Sequence, residues 1–163
     1  MEKYKNFINN KWIESESKET IKVDDPSNGK IIGEISCAKK NEVDLAVEAA
    51  KNSYNSRVLV DMPLLSRAKL MRKIAEETRK VSKEGGELLC YENGKNIASA
   101  IKEFNDVADM FDYYAGLTDK LEGKTIPVAK NVFDYTVLEP FGVSAHVVLS
   151  LIHISEPTRP NNI

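Results

Sequence analysis

The feature that most constrains this chain is a change of hydrophobic period near Asn41 and a second change near Gly123. Before Asn41 the apolar residues alternate, as they do along half-buried strands. Phe7, Ile8, Trp12 and Ile13 flank Asn9-Asn10, a pair suited to a tight hairpin turn. Ile21 and Val23 alternate with polar residues. Pro26-Ser27-Asn28-Gly29 then supplies a turn, and Ile31-Ile32-Gly33-Glu34-Ile35 resumes the strand pattern. Residues 5–36 are therefore predicted to be β structure.

From Asn41 the spacing becomes helical. Asn41 is predicted to cap a first helix carrying Val43, Ala46, Val47, Ala50 and Tyr54. A loop over 56–63 ends at Pro63. A second helix begins near Leu64, with Leu64, Ala68, Met71, Ala75, Thr78 and Val81 along one face. Gly85-Gly86 reads as a loop signal, and too short a glycine pattern to cradle a phosphate. A third helix is predicted over 84–93, ended by Gly94 in the left-handed conformation. A fourth runs from Ile97 to Thr118 with Ile97, Ala100, Ile101, Phe104, Ala108, Phe111 and Ala115 as its apolar stripe. Phe104, Phe111 and Tyr114 are expected in the core. After Gly123 the chain turns extended. Val132 to Leu138 reads as one strand, Glu139-Pro140 breaks it, and Gly142 to Val148 reads as a short buried strand.

Bulk properties exclude several classes. The 163 residues carry 23 basic and 25 acidic side chains, a formal net charge of -2. Lys39-Lys40 and Arg72-Lys73 are short pairs within mixed-charge segments, so neither nucleic acid nor an anionic membrane is the expected partner. No run approaches the roughly 18 consecutive apolar residues of a membrane span. Met1-Glu2-Lys3-Tyr4 shows no signal-peptide core. Cys37 and Cys90 do not make a disulfide framework, and their isolation points to a reducing, cytoplasmic setting.

Several phrases together resemble the aldehyde dehydrogenase family. Phe7-Ile8-Asn9-Asn10-Lys11-Trp12 is similar to its opening hairpin. Asp25-Pro26-Ser27-Asn28-Gly29-Lys30-Ile31-Ile32-Gly33 is similar to its Asn-Pro-Ala-Thr-Gly turn, with Asp25 in place of the usual Asn. Val43 to Ala50 resembles its first helix, and Arg67-Ala68-Lys69-Leu70-Met71 after Pro63 its second. Glu92-Asn93-Gly94-Lys95, Tyr113-Tyr114-Ala115-Gly116 and Glu139-Pro140-Phe141-Gly142-Val143 complete the set. A tryptophan common between the first two helices is absent from Tyr54 to Val60. Each phrase alone is weak; their order and spacing from Tyr4 to Val148 are specific.

The resemblance implies an α/β fold: an N-terminal β-hairpin and a helical run leading into the first strand of an interrupted Rossmann-type domain. Residues 1–140 would be the family's N-terminal portion, with hairpins, helices and an oligomerisation-type strand. Residues 141–148 would open the nucleotide-binding domain. Residues 149–163 are expected to be a non-native tail, because Leu149 to Arg159 resembles the conceptual translation of a transposase sequencing adaptor. On that reading His153 is an accident of encoding.

The family's chemistry needs a thiolate nucleophile, a general base, oxyanion donors and a nicotinamide cofactor. Its nucleophile and base lie far beyond the end of this chain. Cys37 and Cys90 have no neighbouring His and match neither position, so both read as small buried hydrophobes. No catalytic and no cofactor-binding residue is expected here, and the fragment alone is expected to be inactive. His146, sharing a face with Ser144 and Val148, reads as a packed or hydrogen-bonded histidine. Two Cys and two His show no zinc-ligand spacing. By resemblance, Val23, Asp24 and Glu92 are candidates for a monovalent cation site, against the simpler reading of Glu92 as a solvated helix-end carboxylate. The parent would use NAD or NADP, act on a small-molecule aldehyde and form a dimer or tetramer. The alternative is a truncated, non-catalytic binding or oligomerisation module.

Overall fold

The structure is a computed structural model that describes residues 2–147. Chain order is β1 (Glu2–Tyr4), β2 (Asn6–Ile8), β3 (Lys11–Ile13), β4 (Thr20–Asp24), β5 (Ile31–Ser36), α1 (Lys40–Asn55), α2 (Leu64–Lys80), α3 (Ser82–Asn93), α4 (Ile97–Ala115), β6 (Thr125–Ile126) and β7 (Asp134–Tyr135). This mixed α/β organisation agrees with the sequence.

The hairpins form where the alternation places them. Asn9 and Asn10 both have positive φ, 50° and 60°, the pairing that a two-residue turn between twisted strands requires. The turn sets Phe7 opposite Trp12, with ring centroids 4.8 Å apart. Strands β4 and β5 are antiparallel, with a register shift between Val23 and Asp24. The parallel partner of β5 is β1, a strand the alternation does not mark, giving the order β1-β5-β4.

Asn41 is not the cap of α1. The helix starts at Lys40, and the first main-chain donor is met by Glu42, whose Oε2 accepts from the Lys39 N–H at 2.8 Å. Asn41 instead donates its side-chain amide to Glu16. At α4 the cap is Asn96, whose Oδ1 accepts from Ala98 and Ser99 at 3.0 and 3.3 Å.

The helices pack through small residues. Ala68 and Ala75 of α2 and Ala100, Ala108 and Ala115 of α4 are buried, letting α4 lie closely against its neighbours. Gly85-Gly86 does not make a loop. Both glycines lie within α3, which begins at Ser82. A Cβ on Gly86 would sit 2.6 Å from Ile101 Cγ1 and 2.9 Å from Ile101 Cα, so glycine is what permits α3 and α4 to touch. Arg79 at the end of α2 ties across to Asp109 and Asp112 of α4, both at 2.7 Å.

Four further expectations are corrected. Helix α4 ends at Ala115, three residues before Thr118, and Tyr114 is half exposed rather than core. The strand predicted from Val132 to Leu138 shrinks to Asp134–Tyr135, paired with Thr125–Ile126. Residues 142–147 carry no strand, because no neighbouring strand among the described residues offers them a ladder. Val148 and the tail at 149–163, including His153, lie outside the described residues.

Large apolar side chains among the described residues are incompletely covered. None is fully buried, while Phe133, Leu65, Val137 and Leu138 are largely exposed. Helix α1 shows this most plainly: its apolar face is real, but Val43, Val47 and Tyr54 remain exposed.

Candidate functional site

The cavity that matters is framed by the β4–β5 hairpin and the last turns of α3. Its volume is about 570 Å³, and its wall is mainly apolar, with Tyr4, Val23, Ile31, Ile35, Leu88 and Tyr91 among the lining residues. The 88, 91 and 92 positions lie three and four apart, so α3 presents Leu88, Tyr91 and Glu92 on one side. That spacing could have marked them in the sequence.

The turn between β4 and β5 fixes one rim. Asp25, nearly fully buried, accepts from the Ser27 N–H at 2.8 Å and from the Asn28 side-chain amide at 2.7 Å. Its own N–H donates to the Lys30 carbonyl and its carbonyl receives the Gly29 N–H. The hydrogen bonds from Ser27 hold the Asp25 carboxyl below the usual range, against the opposing effect of burial. Asp25 is therefore a charged anchor for the turn, and its departure from the family's Asn leaves the turn intact.

Gly94 ends α3 with φ 67° and ψ 18°, as the sequence predicts, and its N–H closes on the Cys90 carbonyl at 2.9 Å. It lies beside Pro26 of the opposite turn. Lys95, the next residue, is ion-paired with Glu103 of α4.

Of the three candidate cation residues, Val23 and Glu92 line the same cavity, while Asp24 is not part of its lining. The Glu92 carboxylate has no hydrogen-bond or ion-pair partner among the described residues. The register shift at Val23/Asp24 interrupts the regular ladder beside it. No group of three or more His, Cys, Asp or Glu side chains among the described residues could hold a metal ion.

The cysteines are free and half-exposed, neither fully buried as the sequence implied nor adjacent to a base. Cys37 makes one weak, 4.0 Å contact to the Ala38 carbonyl. His146 is exposed, not packed. The described residues thus assemble no nucleophile–base pair.

Comparison with known proteins decides the family. The sequence profile described as the aldehyde dehydrogenase family matches residues 12–148. The chain belongs to the aldehyde dehydrogenase family. A hydroxyisobutyraldehyde dehydrogenase of Mycolicibacterium austroafricanum is 32% identical over 142 residues, spanning 87% of this chain and 28% of that protein. A mitochondrial aldehyde dehydrogenase of Equus caballus is 33% identical over 144 residues, with 87% and 29% covered. Among solved structures, an aldehyde dehydrogenase variant from Bacillus cereus superposes with a TM-score of 0.75 at 28% identity, covering 82% of this chain and 28% of that one. A betaine aldehyde dehydrogenase variant from Staphylococcus aureus, solved with NAD+, gives 0.72 at 26% identity, with 78% and 26% covered. This aldehyde dehydrogenase chain therefore spans under a third of the length of these relatives.

No described helix is long and apolar enough to cross a membrane.

Proposed function

We propose that this chain is the N-terminal portion of an enzyme that oxidises an aldehyde to a carboxylate with NAD+ or NADP+. The observation that carries this reading is the family match over residues 12–148, which spans the Asp25–Gly33 turn and the four helices. The chain alone is proposed to be inactive, since neither Cys37 nor Cys90 has a base beside it. In the parent, a nicotinamide cofactor would accept the hydride. Residues 1–140 would form the N-terminal portion and 141–148 the entry to the nucleotide-binding domain. Residues 149–163, which follow the family match, would be non-native.

The incomplete burial of large apolar side chains supports the same reading. Faces such as Val43 and Val47 on α1 are those that further chain would cover. The exposed Phe133, just before β7, and Tyr135 within it, ring centroids 5.6 Å apart, favour a second role in dimer or tetramer assembly. The free thiols support a reducing, cytoplasmic setting; the Equus caballus relative is mitochondrial.

Within the cavity we propose a monovalent cation held by the Glu92 carboxylate and main-chain carbonyls near Val23 and Asp24. The unpartnered carboxylate and the interrupted ladder support it; the position of Asp24 outside the lining limits that residue to its main chain.

The test is to sequence the source gene through the codons for Val148 and Leu149, then assay both products. Family sequence continuing past Val148, with NAD(P)-dependent aldehyde oxidation by the long product and none by the 163-residue chain, is the expected outcome. A stop codon directly after an authentic residue 163 would leave only the assembly role.

A further inference from the structure

Asparagine followed by glycine is chemically exposed, because glycine carries no Cβ to crowd the approach of its nitrogen to the preceding side chain. The chain has two such pairs, Asn28-Gly29 and Asn93-Gly94. Their backbones are closely alike. Both glycines have φ 67°, and both donate their N–H to a main-chain carbonyl, Gly29 to Asp25 at 2.7 Å and Gly94 to Cys90 at 2.9 Å.

The side chains differ. Asn28 is held on both ends of its amide: Nδ2 donates to Asp25 Oδ2 at 2.7 Å and to Ser27 Oγ at 3.3 Å, and Oδ1 accepts from the Lys30 N–H at 2.8 Å. Asn93 is exposed, as Asn28 is, but makes no side-chain hydrogen bond among the described residues. It is also the last residue of α3, where a helix opens most readily. Reaction at Asn93 requires release of one capping hydrogen bond. Reaction at Asn28 requires release of that bond's counterpart and three more.

We propose that Asn93 is a site of spontaneous deamidation and that the Asp25 turn shields Asn28 from the same reaction. The Gly94 nitrogen, losing its proton to hydroxide, forms a bond to Asn93 Cγ. Nδ2 takes a proton from water, the Cγ–Nδ2 bond breaks and ammonia leaves, giving a cyclic imide and regenerating hydroxide. Water adds across either imide C–N bond. One opening yields aspartate; the other yields isoaspartate, with the main chain routed through the side-chain carbon.

Both products matter where they form. Each places a new carboxylate beside Glu92 at the negative end of the α3 dipole, an unfavourable position for an anion. Isoaspartate also lengthens the main chain between Cys90 and Gly94, so the cap at 2.9 Å cannot survive in its present form. The rim of the cavity facing Pro26 would loosen with it.

The test is to age the 163-residue chain at mildly alkaline pH, with and without concentrated urea, and to follow each Asn-Gly peptide by mass spectrometry. In native buffer Asn93 should convert at least about tenfold faster than Asn28, a ratio equivalent to one order of magnitude in rate. In urea, where no turn or helix survives, the two rates should become equal. Equal rates in native buffer, faster conversion of Asn28, or retention of both amides would overturn the proposal.

Discussion

The Glu42 carboxylate accepts the Glu16 N–H at 2.7 Å and the Lys39 N–H at 2.8 Å, joining the segment after the first hairpin to the start of α1. The two ends of this link are 26 positions apart in the chain, and Glu42 is almost fully buried. A charged acceptor satisfying two main-chain donors in a covered position is hard to replace, because removing it leaves both donors without a partner. Glu42→Ala should therefore lower Tm by several degrees, and Glu42→Gln, which keeps one acceptor oxygen, by less. Thermal unfolding followed by circular dichroism distinguishes the two. Equal melting of both variants and the parent chain would show that the link contributes nothing.

Gly86 should tolerate no side chain. The Ile101 main chain stands 2.9 Å from where its Cβ would be, and backbone cannot rotate aside. Gly86→Ala should cost about 1–3 kcal/mol, the usual range for overpacking a tight contact. A urea titration gives the shift in midpoint. An unchanged midpoint would mean that α3 and α4 are less closely apposed than this geometry requires.

These two contacts also show what the sequence could reveal. The Asn9-Asn10 turn, the left-handed Gly94 and the apolar stripe of α4 are local, so their chemistry is readable from neighbours along the chain. Glu42 was not readable as a cap, because half of its role depends on Glu16, and the polar Asn41 beside it carries the stronger local signal. Gly85-Gly86 reads as a break until Phe104 and Ile101 arrive from α4 to fill the space the glycines leave. Strand β1 has three residues and takes its identity from β5, with which it pairs. Of Val23, Asp24 and Glu92, which the resemblance offers as cation neighbours, Val23 and Glu92 line the cavity, whereas Tyr4, Leu88 and Tyr91 emerge only when hairpin and helix are brought together.

Exposed apolar surface leads to a prediction for the isolated chain. With Phe133, Leu65 and Val137 all largely uncovered, it should bind the dye ANS strongly and self-associate as concentration rises. Light scattering and dye fluorescence measure both. A monodisperse product with negligible dye binding would count against the view that further chain normally covers these faces.

If the cavity holds a monovalent cation, replacing the Glu92 carboxylate should weaken it. In the longer enzyme proposed above, Glu92→Gln should reduce thallium density at this position in soaked crystals and should reduce any potassium-dependent rise in Tm. The change removes a charge from an exposed helix end, so little stability should be lost without the ion. Unchanged density would exclude Glu92 as a ligand.

Acid should remove the contribution of two anchoring carboxylates, Glu42 at the start of α1 and Asp25 in the β4–β5 turn. The main-chain donors Glu16 and Lys39 lower the Glu42 pKa, and Ser27 lowers that of Asp25. A carboxylate whose folded pKa is depressed binds fewer protons in the folded state than in the unfolded one. Its contribution is therefore fully present above the unfolded values, about 4.3 for Glu and 3.9 for Asp, and fades as pH falls through the lower folded values. Stability should stay level through neutral pH and decline below about pH 4. Glu42→Gln and Asp25→Asn should each flatten that decline while lowering stability at pH 7. Urea midpoints taken from pH 7 down to pH 3 would read the effect, and an acid decline of undiminished slope in both variants would assign it to other carboxylates.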